Sequence, residues 1–179
     1  MALTATVYSF EIALADADRG VYEALALRAA LHPSETVEHL LTRVLAYCLE
    51  YEEGIAFSKG VSDGDEPAVA VRAPDGRIRI WIEVGAPDAD RLHKAAKSAE
   101  RVAVYTARDP RTLLRQLAGR TIHRAAEIPL HAIDPPLVAA LAGALERRTR
   151  LDLAISGRHL YVTVAGRSWD GPVVEHRLI

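Results

Sequence analysis

The chain has 179 residues, with 22 Lys plus Arg against 24 Asp plus Glu, a formal net charge of −2 and seven histidines. Half of the residues are apolar and 26% are charged, which excludes a disordered chain and supplies apolar surface for a sizeable core. No apolar run reaches the roughly 18 residues of a membrane span, the near-neutral balance argues against unspecific coating of nucleic acid, and a single cysteine, Cys48, leaves no internal disulfide or Cys-based zinc site.

The first ten residues lack the basic and apolar regions of a signal peptide, so a cytoplasmic protein of one domain is expected. Residues 4–14 alternate, with Tyr8, Phe10, Ile12 and Leu14 on one face, and predict a strand. Asp16 to Gly20 is a turn. Residues 21–31 fit period two, although their alanines favour helix; a second strand closing a hairpin is the preferred reading. Ser34 is the expected N-cap of a helix that runs to about Glu50. Val37, Leu40, Leu41, Val44, Leu45, Cys48 and Leu49 repeat at helical spacing and predict one broad buried face.

Residues 55–58 predict a short strand, followed by a polar loop from Lys59 to Pro67. Residues 68–73 and 77–84 predict strands joined by the Pro74-Asp75-Gly76 turn. A helix over 88–99 and a strand over 101–106 follow. Further on, a short helix is expected at 110–118, an extended segment within 121–133, and a helix from Pro135 to about Arg147. Strands are expected over 150–156, 158–165 and 172–178, with turns at Gly157 and Gly166. Together these give an α+β protein with a mixed β-sheet.

Glu83 is the first candidate for chemistry. Ile78, Ile80, Ile82 and Val84 point one way, and Arg77, Arg79, Trp81 and Glu83 the other. Glu83 ends its strand, where ligand sites gather in open sheets. Counting back through the hairpin sets residue 83 opposite about 67, so Asp65 or Glu66 can approach it. Like charges on one sheet edge repel, and a divalent cation such as Mg²⁺ would relieve that. The plainer reading is solvated acids, or pairing with Arg79 or Lys59. Lys94 lies on the following helix and could steady a phosphate charge, or belong to an ordinary solvated face. Glu35 and Glu38 share a helix face, either to complement the helix dipole or to supply a third acid. His32, His39 and His93 lack metal-ligand spacing, and Cys48 is expected to be an inert core thiol.

These residues carry a resemblance to the YaeQ family. The segments are Ala15 to Arg19, His32-Pro33-Ser34-Glu35-Thr36 with Glu38 and Arg43, Ser58-Lys59-Gly60, Asp65-Glu66-Pro67, Trp81-Ile82-Glu83-Val84-Gly85, Pro87-Asp88, Arg91-Leu92, Lys94-Ala95 and Val104-Tyr105. The resemblance implies a variant of the PD-(D/E)XK nuclease fold with an αβββαβ core at about 34–106, the order predicted above, plus an N-terminal β-hairpin and a C-terminal helix and strands. Carried over, Glu83 matches the acid of the E-x-K pattern. Gly85 stands in the lysine slot, so Lys94 is the expected replacement. Ala68 stands where the pattern has Asp, so Asp65 or Glu66 is the expected second metal ligand. Glu35 matches the helix acid. Lys59 and Arg91 are the basic residues expected to face nucleic acid.

Two functions follow from the resemblance. One is Mg²⁺-dependent hydrolysis of a phosphodiester in nucleic acid, with the metal on Glu83 and Asp65 or Glu66, and with Lys94 and Glu35 assisting. The other is a non-catalytic nucleic-acid- or protein-binding protein on a degenerate nuclease scaffold, favoured by Gly85 and Ala68. A purely structural ion-pair network is a third reading of the same acids.

Overall fold

The computed structural model describes residues 4–58 and 66–179. The chain folds in the order β1 (Thr6–Asp16), β2 (Val21–Leu31), α1 (Val37–Leu49), β3 (Ile55–Phe57), β4 (Val69–Arg72), β5 (Ile78–Val84), α2 (Ala89–Ser98), β6 (Arg101–Thr106), α3 (Pro110–Leu117), β7 (Pro129–Ile133), α4 (Pro135–Ala144), β8 (Arg148–Ser156), β9 (His159–Val164) and β10 (Arg167–Arg177). The strands form one mixed sheet, ordered β2-β1-β8-β9-β10-β7-β6-β5-β4-β3. The pairs β1–β8, β5–β6 and β6–β7 are parallel, and the rest antiparallel. Among the described residues no helix is long and apolar enough to cross a membrane.

Residues 21–31 pair with β1 along its whole length, Thr6 opposite Leu31 and Asp16 opposite Val21. Period two outweighs the helix preference of the alanines because alternate residues, Leu25, Leu27 and Ala29, are buried. The Asp16–Arg19 turn also serves α1. Asp16 accepts from Arg19 Nε at 2.8 Å, and the Arg19 guanidinium donates to the Cys48 and Tyr51 carbonyls at the end of that helix.

Helix α1 starts two residues later than expected. Thr36 is the cap, its Oγ1 accepting from the His39 N–H at 3.1 Å, while Ser34 bonds the His32 ring. The expectation of one buried face is also corrected. Ten successive residues, Leu40–Leu49, are buried, because α1 packs against β2, β3, β4, β5, β6 and α4. Cys48, in its last turn, is fully buried, and burial pushes the thiol pKa up to about 12, which makes it inert at neutral pH.

A second layer covers the other face of β5 and β6. Leu92, Ala95 and Ala96 of α2 pack on Trp81, Val102 and Val104. Trp81 and Glu83, expected on a polar face, are therefore buried, as strands covered on both sides require. A bulge between Val71 and Arg72 shifts the β4–β5 register, so Val69 faces Ile82 and the next pair brings Ala68, within one residue of the expected 67, level with Glu83.

Two later boundaries, the end of α4 and the start of β10, differ from expectation. Helix α4 ends at Ala144 because Thr149 Oγ1 and the Glu146 backbone bond each other, turning the chain into β8. The extended segment expected within 121–133 is β7, preceded by a loop with one 3-10 turn at Ala125–Glu127; the Arg124 guanidinium ties this loop to the Ala96, Ala99 and Glu100 carbonyls at the end of α2. Strand β10 begins at Arg167 and changes partner midway, pairing with β9 up to Pro172 and with β7 from Val173. At this switch a Cβ on Gly171 would lie 2.7 Å from the Asp134 side chain, so only glycine lets α4 begin there.

A buried polar group links α1 to the centre of the sheet. Glu50 bonds Arg101 and, at 2.7 Å, the Tyr105 hydroxyl. Burial opposes charge on Glu50, but the Arg101 and Tyr105 bonds outweigh it and hold its pKa below the usual range. His131 stacks on Tyr105, and its Nδ1 accepts from Arg158 at 2.8 Å. Burial, then Arg158, pushes His131 down to about 4, against weaker upward pulls from Glu50 and Glu175. An unfolded histidine titrates near 6.5. The unfolded chain therefore takes up this proton first, and stability falls as pH drops from about 6.5 towards 4. The expected loss between about pH 7 and pH 5 is about 2 kcal/mol. Urea unfolding of the wild type and His131→Gln at both pH values checks this. Equal losses in the two proteins would remove His131 as the cause.

Candidate polar cleft at the end of strand β5

The site forms where β5 ends beside the first turns of α1. Its central group is Glu83, 4% exposed. Glu83 Oε1 accepts from Trp81 Nε1 at 2.5 Å and from Arg91 Nε at 2.7 Å. Arg91 Nη2 donates to the Glu66 carbonyl at 2.7 Å, and its guanidinium lies 5.9 Å from the Trp81 ring centre. Burial raises the Glu83 pKa, and the bonds from Trp81 and Arg91 only partly counter it; Asp88 adds to the rise.

Gly85 follows with φ +99°, and a Cβ there would come 3.3 Å from His39 Nε2. The slot in which the E-x-K pattern has lysine thus combines a left-handed backbone with a close ring contact, and both disfavour any side chain.

Glu35 lies behind the cleft, with 3% of its side chain exposed. One oxygen accepts from His39 Nδ1 at 2.7 Å and the other from Arg43 Nη2 at 2.8 Å. Burial opposes its charge, yet these two bonds outweigh it and lower its pKa. Glu35 is therefore the acceptor, and Nδ1 carries the proton. Arg43, 6% exposed along its side chain, also donates to the Ala30 carbonyl at 2.7 Å, while its Nε is buried without a hydrogen-bond partner.

The cleft, of about 240 Å³, brings together Glu83, Glu66 and Arg91 of the residues singled out in the sequence, and adds His39 and Arg43. Glu35 reaches it only through His39 and Arg43. Glu66 aims its carboxylate at Arg72 Nη2, 3.5 Å away, a solvent-screened contact of little energetic weight. Lys94 is exposed on α2 and does not line the cleft; the cation beside Glu83 is Arg91. Lys59 and Asp65 lie outside the described residues. His39 lacks metal-ligand spacing in the sequence. Its signal is a different one, the four-residue steps from Glu35, just before the cap of α1, to His39 and Arg43 on the helix, which set the three side chains along one side.

The molecule is thus an α+β protein whose mixed sheet packs around a central helix, with a polar cleft at the end of a parallel strand. The family model described as YaeQ protein matches residues 1–170, and the chain belongs to the YaeQ family. The crystal structure of the YaeQ protein from Pseudomonas syringae superposes with a TM-score of 0.87 at 35% identity, covering 96% of this chain and 95% of that one. The YaeQ protein from Xanthomonas axonopodis pv. citri gives 0.88 at 30% identity over 97% and 99% of the two chains. Among curated relatives, the uncharacterized protein YaeQ of Escherichia coli (strain K12) is 40% identical over 106 residues, and that of Salmonella typhi 41% over 105. The chain spans 59% of the length of the former and 58% of the latter.

Proposed function

We propose that this chain is a non-catalytic nucleic-acid-binding protein on a PD-(D/E)XK-like scaffold in which a guanidinium stands where a metal would. The order α1-β3-β4-β5-α2-β6 agrees with an αβββαβ core. The observation that carries the reading is the 2.7 Å bond from Arg91 Nε to Glu83 Oε1. The described residues do not fit a magnesium ion. No group of three or more His, Cys, Asp or Glu among them could hold a metal, Glu83 is engaged by Trp81 and Arg91, and Ala68 stands level with it. Arginine suits the substitute role because its planar fork matches phosphate and never loses its charge. Glu83 would orient Arg91 towards a phosphodiester rather than activate water.

The test is fluorescence anisotropy with labelled single- and double-stranded DNA and RNA. Binding is expected to weaken steeply between about 50 and 200 mM salt, the signature of phosphate contacts. Arg91→Ala is expected to lower affinity about tenfold, with Arg91→Lys intermediate because it keeps the charge and loses the fork. Calorimetric titration with Mg²⁺ and Mn²⁺ runs beside it. Failure to bind any oligonucleotide at low salt would sink the proposal. So would a one-site metal isotherm that disappears in Glu83→Ala, which would restore the hydrolytic reading.

A further inference from the structure

A second cavity, of about 480 Å³, shares His39 with the cleft. It is lined by the segments leaving β5 and β6, from Val84 to Ala86 and from Thr106 to Arg108, and by the first turns of α1 and α4. Two parallel strands therefore open onto it at their carboxyl ends, the usual place for a ligand in such sheets. Its volume suits a metabolite-sized molecule.

Two groups give it chemical character. The Arg108 backbone N–H donates to Thr106 Oγ1 at 3.2 Å, while its guanidinium has no partner among the described residues. His39 is held from behind, with Nδ1 fixed by Glu35, and its Nε2 lies 3.3 Å from the Val84 carbonyl. A carbonyl can only accept, so this contact becomes a hydrogen bond only when Nε2 also carries a proton. An anion in the cavity would offer that proton a stronger acceptor than the long carbonyl contact. The first turns of α1 and α4 add the positive ends of two helix dipoles. Val84, Ala86, Ala107, Pro135 and Ala139 form an apolar part of the lining, beside the hydroxyl-bearing Thr36, Thr42 and Thr106.

We propose that this cavity binds a small organic anion, with a phosphate or carboxylate head taken by Arg108 and His39 and a compact apolar body against the alanines and Pro135. This goes beyond the nucleic-acid reading and does not depend on it. Glu38, exposed and also lining the cavity, opposes the anion and limits its affinity.

The experiment follows the ring nitrogens of His39 by NMR, assigned with His39→Gln, while inorganic phosphate and butyrate are titrated separately at constant ionic strength. A saturable shift is expected with at least one anion, and the anion that saturates at lower concentration identifies the head group. Arg108→Ala should weaken that binding about tenfold or more, as loss of a charge-assisted contact does. Glu38→Gln should tighten it. Arg150→Ala, which removes an exposed arginine paired with Glu11, should leave it unchanged. No saturable shift with either anion, or an Arg108→Ala protein that titrates like the wild type, overturns the proposal.

Discussion

Glu35→Ala is expected to destabilise the protein by about 3–5 kcal/mol, the range for removing one partner of a buried ion pair. Arg43 is nearly inaccessible and already has an unpartnered Nε. Without Glu35 its one remaining hydrogen-bond acceptor among the described residues is the Ala30 carbonyl, which cannot balance a full charge. His39 loses its anchor at the same time. Glu35→Gln should cost less, since it still offers an oxygen to one of the two donors. Urea unfolding curves of the three proteins at neutral pH decide the matter. A solvated acid waiting for a metal would predict near wild-type stability in Glu35→Ala, within about 0.5 kcal/mol, and that outcome would refute the structural role.

Arg91→Ala comes second, at about 3 kcal/mol near neutral pH. Arg91 is 27% exposed along its side chain but its partner Glu83 only 5%, so the cost is that of a buried carboxylate left with Trp81 alone. The loss should depend on pH in a definite direction. The folded-state pKa of Glu83 is already raised and rises further without the guanidinium. The folded variant therefore holds its proton to a higher pH than the unfolded chain, and the deficit relative to wild type shrinks as pH falls through that raised value. Adding Glu83→Gln to Arg91→Ala should recover part of the stability, because the amide carries no charge to strand. A double variant no more stable than Arg91→Ala, with a deficit equal at pH 5 and pH 8, would show that the pair is not what holds this strand end.

The elements built on local alternation were legible in the sequence. Strand β1, the hairpin to β2, and the β4–β5 turn at Asp75-Gly76 follow from side chains within a few residues of one another. Burial on a second face was not, because it depends on which element lands there. Ile78 to Val84 reads as a half-polar strand until α2 covers Trp81 and Glu83. The start of β10 was hidden for a related reason. Ser168, Asp170 and Gly171 carry no apolar signal, and their place in a strand is set by partners on β9. At the site, Glu83, Glu66 and Arg91 could be found by pattern, yet Gly85 reads as a missing lysine. Its positive φ and its contact with the His39 ring, 46 positions earlier in the chain, exist only in three dimensions.

The partner switch in β10 also constrains how the molecule comes into being. Among the described strands it comes last in sequence, and it ties β9 to β7. On the ribosome, β3 to β7 can gather around α1, and β1 with β2 can await β8. Each assembly then waits with an unpaired edge at β7 or β9. Those two edges are templates for pairing with other chains, and they stay open until β10 has left the exit tunnel. The interval before β10 pairs is therefore when a folding chain of this protein would most benefit from a chaperone.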